Sequence, residues 1–400
     1  MKPLALILTH SPPRPAISGD RIRTFHLMRE LRERGWHVSL FSLVAPDEPV
    51  GLDAVLAVAS DDWRLVPRRV SQVRRVANLG AGLLRRRAFQ WHWFWSRDAA
   101  DACHAWLDAS PAGVLFVEQL YMFPYVPAAL RGRIVLDTQN LEVARIRAMA
   151  AAGSSPARRA MARLQSGPVE RFEAGAVQSV ARVLAVSPDE QSAFEELAPG
   201  RVRLVPNGVD TRGIDPVVDP PKSPKLLYLG SMGYDPNVDA VTHFLGDIAP
   251  LVRTADVSLD VVGSNPTASV YRASSRSHMR TKVSGFVPDV GQYYRDSRAM
   301  VVPLRQGGGT RLKILEALAW GLPVITTTVG CAGLGLTDGR EALIADTPEE
   351  FAAAVDRLVL DDDLWKELSW AGRVFVERHF RWQSIGSTLD RIMRELVPGS

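Results

Sequence analysis

Apolar residues along the chain arrive in two textures: short unbroken runs, and longer stretches in which they recur every three or four positions. The run LALIL (Leu4 to Leu8) leads into a loop rich in Pro, Gly and Ser that extends to Gly19-Asp20. A helical stretch follows, IRTFHLMRELRERG. Ile22, Phe25, Leu27, Met28 and Leu31 give it an apolar stripe, and Gly35 stops it. HVSLFSLV is the next strand. Strand, glycine loop, helix and strand form the unit of a doubly wound parallel sheet. VLFVE (Val114 to Glu118), RIVLD (Arg133 to Asp137) and RVLAVS (Arg182 to Ser187) extend it. The second half restarts in the same style with KLLYLG (Lys225 to Gly230), a helix from about Asn237 to Val252, and VSLDVVG (Val257 to Gly263). KVSGFV, AMVVPL and PVITT come next, with helices expected at about Val290 to Arg295, Thr310 to Ala319 and Pro348 to Leu360. The strands are apolar on both faces, as parallel strands covered by helices should be. The pattern predicts an α/β fold of two Rossmann-like halves, with Pro216 to Pro224 as the linker. Two such domains facing each other would make a cleft, and ligands would bind at the carboxyl ends of the strands.

Length and composition agree with this picture. A chain of 400 residues exceeds the size at which one core keeps growing. Cys103 and Cys331 stand far apart and form neither a metal-ligand pattern nor a disulfide framework, which fits a reducing compartment. The apolar run Pro3 to Leu8 is too short for a signal peptide and is read as a buried strand. No apolar run approaches the ~20 residues that span a bilayer. A cytoplasmic location is expected. The net charge of +4 is unevenly placed, because Trp63 to Arg97 holds nine arginines and no acidic residue. That stretch ends in FQWHWFWSR, where Trp91, Trp93 and Trp95 join the arginines. Arg64 to Arg97 therefore reads either as an interfacial surface touching anionic lipid on the inner face of the plasma membrane, or as a solvated basic helix beside core tryptophans. No nucleic-acid partner is expected.

The densest chemistry lies in VVPLRQGGGTRLKILEALAWGLPVITT. A strand ends at Leu304, glycines follow, and a helix begins near Thr310. Glycine lets backbone amides approach a ligand, and a helix start offers unpaired N–H groups at the positive end of the dipole. A diphosphate suits Gly308, Gly309 and Thr310. Arg311 and Lys313 put cations where the dipole disfavours them, which an anionic partner would explain. Glu316 is placed to accept hydrogen bonds from a ribose diol. The competing reading is an ordinary amphipathic helix with solvated charges. Three further loops carry weaker signals. Gly19 precedes a helix bearing Arg21 and Arg23, which would face the same diphosphate; otherwise this is a turn with Asp20 as N-cap. Gly230 and Ser231 open the glycine loop GSMGYDPNVDA. Phe286 and Val287 in VSGFVPDV offer backbone groups to a base edge. Asp361 to Asp363 read as a capping turn, His10 as more often structural than functional, and no zinc spacing or nucleophile elbow occurs.

Taken together these residues resemble glycosyltransferase family 4, retaining enzymes of the GT-B fold. SGD, RGWHV, VLAVSPDE and VRLVPNGVD resemble its N-terminal half. LYLGSMGYDPNVDAV, GFVPDV and PLRQGGGTRLKILEALAWGLPVITT resemble its C-terminal domain, and FRWQS its closing segment. The nearest likeness is to a bacterial subgroup tied to exopolysaccharide assembly. The resemblance implies an acceptor domain over 1–210, a nucleotide-sugar donor domain over 211–380, and a last helix over 381–400 that crosses back to the N-terminal domain. It implies hexosyl transfer from a nucleoside-diphosphate sugar, with UDP favoured over GDP, to a glycan, lipid-linked or small-molecule hydroxyl. Neither a metal nor another cofactor is implied. Glu316 matches the ribose-binding glutamate, Gly19 the glycine beside the donor phosphates, and Phe286 and Val287 the segment beside the base. Three positions depart from the family. Gly308 stands where many members have a glutamate near the donor sugar. Gln139 stands where relatives usually place a histidine. GSMGYDPN lacks the usual Arg and Lys, so Arg311 and Lys313 are expected to supply that charge. The same fold also serves sugar-nucleotide 2-epimerases and non-catalytic binding subunits, and both stay open at this point.

Overall fold

The computed structural model describes residues 2–14, 18–45, 53–68, 87–88, 94–110, 113–152, 156–307 and 311–397. The chain divides into two compact units, Met1–Asn207 with Trp382–Ser400, and Gly208–Arg381.

The first unit is built on seven parallel strands: β1 (Leu4–Thr9), β2 (His37–Val44), β3 (Asp62–Pro67), β4 (Val114–Glu118), β5 (Ile134–Asp137), β6 (Arg182–Ala185) and β7 (Val202–Leu204). Their order is β3-β2-β1-β4-β5-β6-β7, so the chain reverses direction across the sheet between β1 and β4. That reversal is the place where doubly wound sheets bind ligands. Every residue of β4 and β5 is buried, as expected for central strands under helices. The edge strand β3 differs: Asp62, Arg64 and Pro67 are exposed in alternation with partly buried neighbours. Charge and proline on an edge strand discourage pairing with another chain. The strand was missed in the sequence because its polar alternation breaks the apolar run.

The helix Gly19–Glu33 starts three residues earlier than its apolar stripe does. Ser18, and not Asp20, occupies the N-cap position. The helix closes as expected at Gly35, whose φ of 86° belongs to the left-handed region. The Trp36 amide donates to Leu31 O (3.1 Å) and the Gly35 amide to Arg32 O (3.0 Å), a Schellman stop. Helix Trp382–Arg394 lies against this one within the same unit. Trp382, Ile385, Leu389, Ile392 and Met393 are buried in the core that also holds Phe25, Leu27, Met28, Leu31 and Trp36. His26 stacks on Trp382 at 4.9 Å, and Trp36 Nε1 donates to Asp390 (2.6 Å). Gly386 permits the close approach, since a Cβ there would overlap the Glu30 side chain.

The second unit carries six parallel strands: β8 (Lys225–Leu229), β9 (Ser258–Val262), β10 (Arg280–Gly285), β11 (Ala299–Val302), β12 (Val324–Thr326) and β13 (Leu343–Ile344). Their order is β10-β9-β8-β11-β12-β13, which again reverses after the first strand of the unit. β10 is an edge strand with Arg280 and Lys282 exposed. The helix expected over 237–252 instead runs Asp235–His243, passes through a wider π turn at Phe244–Ile248, and ends in a 3-10 turn at Ala249–Leu251. Gly246 and Pro250 explain the break, because neither favours continued α-helix. The division at Asn207/Gly208 falls ahead of the Pro-rich stretch read as the linker. Pro216 to Pro224 is fastened to the second unit: Val217 N donates to Trp320 O (2.8 Å), and Pro221 O accepts from the Arg298 guanidinium (3.1 Å). Asp361 caps helix Asp362–His379 through Leu364 N, as the acidic triplet predicts.

Among the described residues no helix is long and apolar enough to cross a membrane. Most of Arg64 to Arg97, including Trp91 and Trp93, lies outside the described residues.

Candidate functional site

In the second unit, the carboxyl ends of β8 and β11 bring three predicted groups together. The helix Leu312–Ala319 begins with Arg311 at its N-cap position. Gly307, with φ of 124°, turns the chain toward it. Gly308, Gly309 and Thr310 lie outside the described residues. Arg311 is buried and its guanidinium donates to Gly307 O (3.0 Å) and Val329 O (3.2 Å). Lys313 points across to β8 and its loop. Its Nζ donates to Asn237 Oδ1 (3.0 Å), lies 3.4 Å from the Tyr228 hydroxyl, and sits 4.6 Å from the centroid of the Tyr228 ring. A Cβ on Gly230 would stand 2.7 Å from that ammonium, so the glycine is what admits it. The loop GSMGYDPN has no cation of its own, and Lys313 brings one into contact with it.

Both cations are held in this way against the preference of burial. Burial, with Arg311 nearby, pushes the Lys313 ammonium down to about 7, while Glu316 opposes the shift. The Arg311 guanidinium is lowered too, again by burial. The Tyr228 hydroxyl and the Asn237 amide that Lys313 bonds to are neutral oxygens, which solvate a charge without cancelling it. Glu316, one turn further on, accepts from the buried Tyr294 hydroxyl (3.0 Å). Burial raises its carboxyl above the usual range, against the pull of Tyr294 and Lys313. Tyr294 in turn stacks on Trp320 at 5.7 Å.

Asn237 is the hub that sequence reading missed. Its Oδ1 accepts from Tyr228 and Lys313, and its Nδ2 donates to Ser231 O (2.8 Å). The one clue was a polar residue in the first turn of a helix after a glycine loop. Ser231 is exposed, and its Oγ accepts from Ser264 (3.0 Å). Phe286 is 65% exposed and Val287 half-buried just past Gly285, whose carbonyl accepts from Gly263 N (2.8 Å).

The first unit carries a separate constellation at the ends of β1, β4 and β5. Gly19 is exposed at its helix start. Arg23, expected to face a phosphate, is instead fully buried. It forks onto Asp137 at 2.7 to 3.1 Å and donates to Pro206 O (2.9 Å) and Asn207 Oδ1 (3.2 Å). A guanidinium with this many fixed acceptors is a structural tie. Gln139, also buried, donates to Asp137 Oδ2 (3.0 Å), an oxygen it shares with Arg23 Nε, and holds φ of 57°. Gln139 lies in the first unit, while Arg311 and Lys313 lie in the second.

His10, at the end of β1, is not alone. Its Nδ1 faces Glu118 Oε2 at 3.0 Å and its Nε2 faces Asp20 at 3.4 Å. Glu118 is buried, and its second oxygen accepts from Thr24 (3.1 Å). Glu118 and Asp20 raise the His10 imidazole above its ordinary value although burial opposes them. Ligand-type atoms of His10, Asp20 and Glu118 lie within 4.8 Å of one another. Each carboxylate takes a different ring nitrogen, which is the geometry of a hydrogen-bonded triad more than of one ion's shell.

Comparison with known proteins follows the same division. Residues 17–212 match the family described as Glycosyltransferase Family 4, and residues 223–361 match Glycosyl transferases group 1. A D-inositol 3-phosphate glycosyltransferase of Corynebacterium jeikeium is 34% identical over 89 residues, which are 22% of this chain and 21% of that one. The chain thus spans about a fifth of that relative. Among solved structures, sucrose-phosphate synthase from Thermosynechococcus elongatus superposes with a TM-score of 0.74 at 19% identity, over 100% of both chains. HepE of Anabaena, solved with UDP and glucose, gives 0.68 at 12% identity, over 98% of this chain and 99% of that one. These likenesses establish the fold, and the two family matches, which together take in most of the sequence, establish kinship: the chain belongs to the family 4 glycosyltransferases of the GT-B fold.

Proposed function

We propose that the protein transfers a sugar from a nucleoside-diphosphate sugar to an acceptor hydroxyl with retention of configuration. The observation that carries this reading is the pair of buried cations, Arg311 and Lys313, at the glycine-turned start of helix Leu312–Ala319. A departing diphosphate needs stabilisation as its charge develops, and fixed donors at a helix start supply it. Lys313 and Arg311 take that role, with backbone amides of Gly308, Gly309 and Thr310. Glu316 receives the ribose hydroxyls, Phe286 and Val287 border the base, and Gly230 and Ser231 border the phosphates. In the first unit, read as the acceptor domain, Gly19 and Gln139 are the residues that the family likeness singles out. No metal or other cofactor is assigned a role. UDP-sugars are the favoured donors; the UDP held by HepE supports that choice by analogy. Cell-surface polysaccharide or glycoconjugate assembly is the setting proposed, at the cytoplasmic side of the membrane, with Arg64 to Arg97 as a peripheral lipid contact.

The test is a panel of UDP-, GDP- and ADP-sugars incubated with the purified chain, with and without an acceptor mixture. Nucleotide release from one base series is expected. K313A and R311A should each weaken UDP binding by ten-fold or more, about 1.4 kcal/mol. Full UDP affinity in both variants would remove the cations from the donor site. A panel yielding no released nucleotide would remove the transferase reading.

A further inference from the structure

Behind Glu316 stands a tyrosine to which the donor assignment gives no task. Tyr294 is 1% exposed and lies on the short helix Gly291–Asp296, which Asp289 opens by accepting from Gly291 N (2.8 Å). Its ring is nearly parallel to the Trp320 indole, 10° apart in plane at 5.7 Å. The Arg295 guanidinium covers that indole at 5.0 Å. Gly291 admits the indole, since a Cβ there would stand 3.1 Å from Trp320 Cη2. The phenol is therefore held in one orientation, and its hydroxyl donates to Glu316 Oε2 (3.0 Å). Among the described residues that hydroxyl has no other hydrogen-bond partner, and neither has the Glu316 carboxylate.

Packing alone does not ask for this arrangement. A phenylalanine would fill the same volume against Trp320 without burying a polar atom, whereas a buried phenol must find an acceptor. What the hydroxyl changes is the carboxylate. Burial raises the Glu316 carboxyl, and a donor to its charged form opposes that rise. An ionised carboxylate accepts stronger hydrogen bonds than a neutral one. With Oε2 engaged, Oε1 is the freer oxygen, on a side chain that is half-buried and so still within reach of a ligand. The titratable groups that face Glu316 are Tyr294, from the neighbouring helix, and Lys313, from its own. We propose that Tyr294 is a positioning residue for the nucleoside: by holding Oε2 it presents Oε1 to the ribose hydroxyls and sets how strictly the site demands a ribose. The assignment rests on the reading of Glu316 as the ribose acceptor and adds the residue that acts through it. It makes 286–294 one nucleoside-reading stretch, with Phe286 and Val287 at the base and Tyr294 behind the ribose.

Isothermal titration calorimetry of the full chain with UDP and with 2′,3′-dideoxy-UDP tests the role. The dideoxy nucleotide keeps the base and the diphosphate and lacks only the ribose hydroxyls. Wild type should prefer UDP by about ten-fold, and E316Q should lose that preference. Y294F should cut the preference about three-fold while binding the dideoxy nucleotide as the wild type does, which also reports intact folding. Because the hydroxyl favours the charged carboxylate, the preference left in Y294F should fade at a higher pH than in wild type as pH is lowered. The charge on Lys313 acts on the diphosphate of both nucleotides and drops out of their ratio. If E316Q loses the preference but Y294F keeps it in full, weakens both nucleotides alike, or shows the fade at the wild-type pH, the positioning role is overturned and Glu316 stays on the ribose. If E316Q keeps the preference, or wild type has none, Glu316 is off the ribose and the role of Tyr294 falls with it.

Discussion

Lys313 is a side chain whose charge responds to pH near neutrality. Its folded value of about 7 lies below that of an unfolded lysine, about 10.4. Between those values the unfolded chain holds more protons, so the Lys313 contribution to stability grows as pH rises through that window. Donor binding carries the opposite sign. A diphosphate favours the charged ammonium, so complex formation above pH 7 must take up a proton, and affinity falls as pH rises. Calorimetry with UDP at pH 8 in two buffers of different ionisation enthalpy should show uptake in the wild type and none in K313M; equal proton uptake in both would sink the assignment. Arg23 and Asp137 form the opposite kind of pair, buried and fully satisfied. Removing one partner strands the other, so D137A should lose about 3–5 kcal/mol of stability by urea titration, and a loss under 1 kcal/mol would contradict the burial described. Neither arrangement was visible in the sequence as it stands. Arginine and lysine beside a glycine run are easily noticed, but Lys313 reaches Asn237 across 76 positions and Arg23 reaches Asp137 across 114. Residue type told what chemistry was available; only the fold told that Arg23 spends its charge internally and Lys313 does not.

At the scale of elements, the strands were largely legible because central parallel strands are continuous apolar runs. β2 and β4 coincide with HVSLFSLV and VLFVE. β3 and β13 were not read, for physical reasons: β3 lies on an edge and alternates polar with apolar residues, and β13 is only two residues long, whereas β10, read from KVSGFV, begins two residues earlier at Arg280. Helix Trp382–Arg394 shows what tertiary context adds. Its membership in the first unit rests on Trp382 seated against His26 and on Gly386 seated against Glu30, contacts that lie more than 350 positions apart in sequence. Truncation of that indole should be expensive. W382A should cost about 3–5 kcal/mol in denaturant unfolding of the first unit. If its stability stays within 0.5 kcal/mol of wild type, on the order expected of a surface change, the packing described for this helix would be refuted.

For the whole molecule, two units with separate cores should melt as two events. A ligand held by the second unit stabilises that unit by mass action, about 2.7 kcal/mol at a hundred times its dissociation constant. Differential scanning calorimetry with UDP should therefore raise one transition and leave the other within a degree or so. A shift confined to the transition that W382A lowers would place the nucleotide on the first unit and contradict the donor assignment.

The C-terminal helix has a consequence for how the protein is made. Residues 382–394 complete a core whose other members were all laid down before residue 206. During synthesis, the second unit has its entire sequence available first, since Gly208–Arg381 is continuous. The first unit must wait with Trp36, Phe25 and Met28 uncovered until the ribosome has passed Met393. At about 5–20 residues per second, the intervening stretch takes on the order of ten seconds or more. For that interval the nascent chain presents an apolar groove with no partner, which makes the earlier half of the gene product, and not the later, the client for which chaperones would compete.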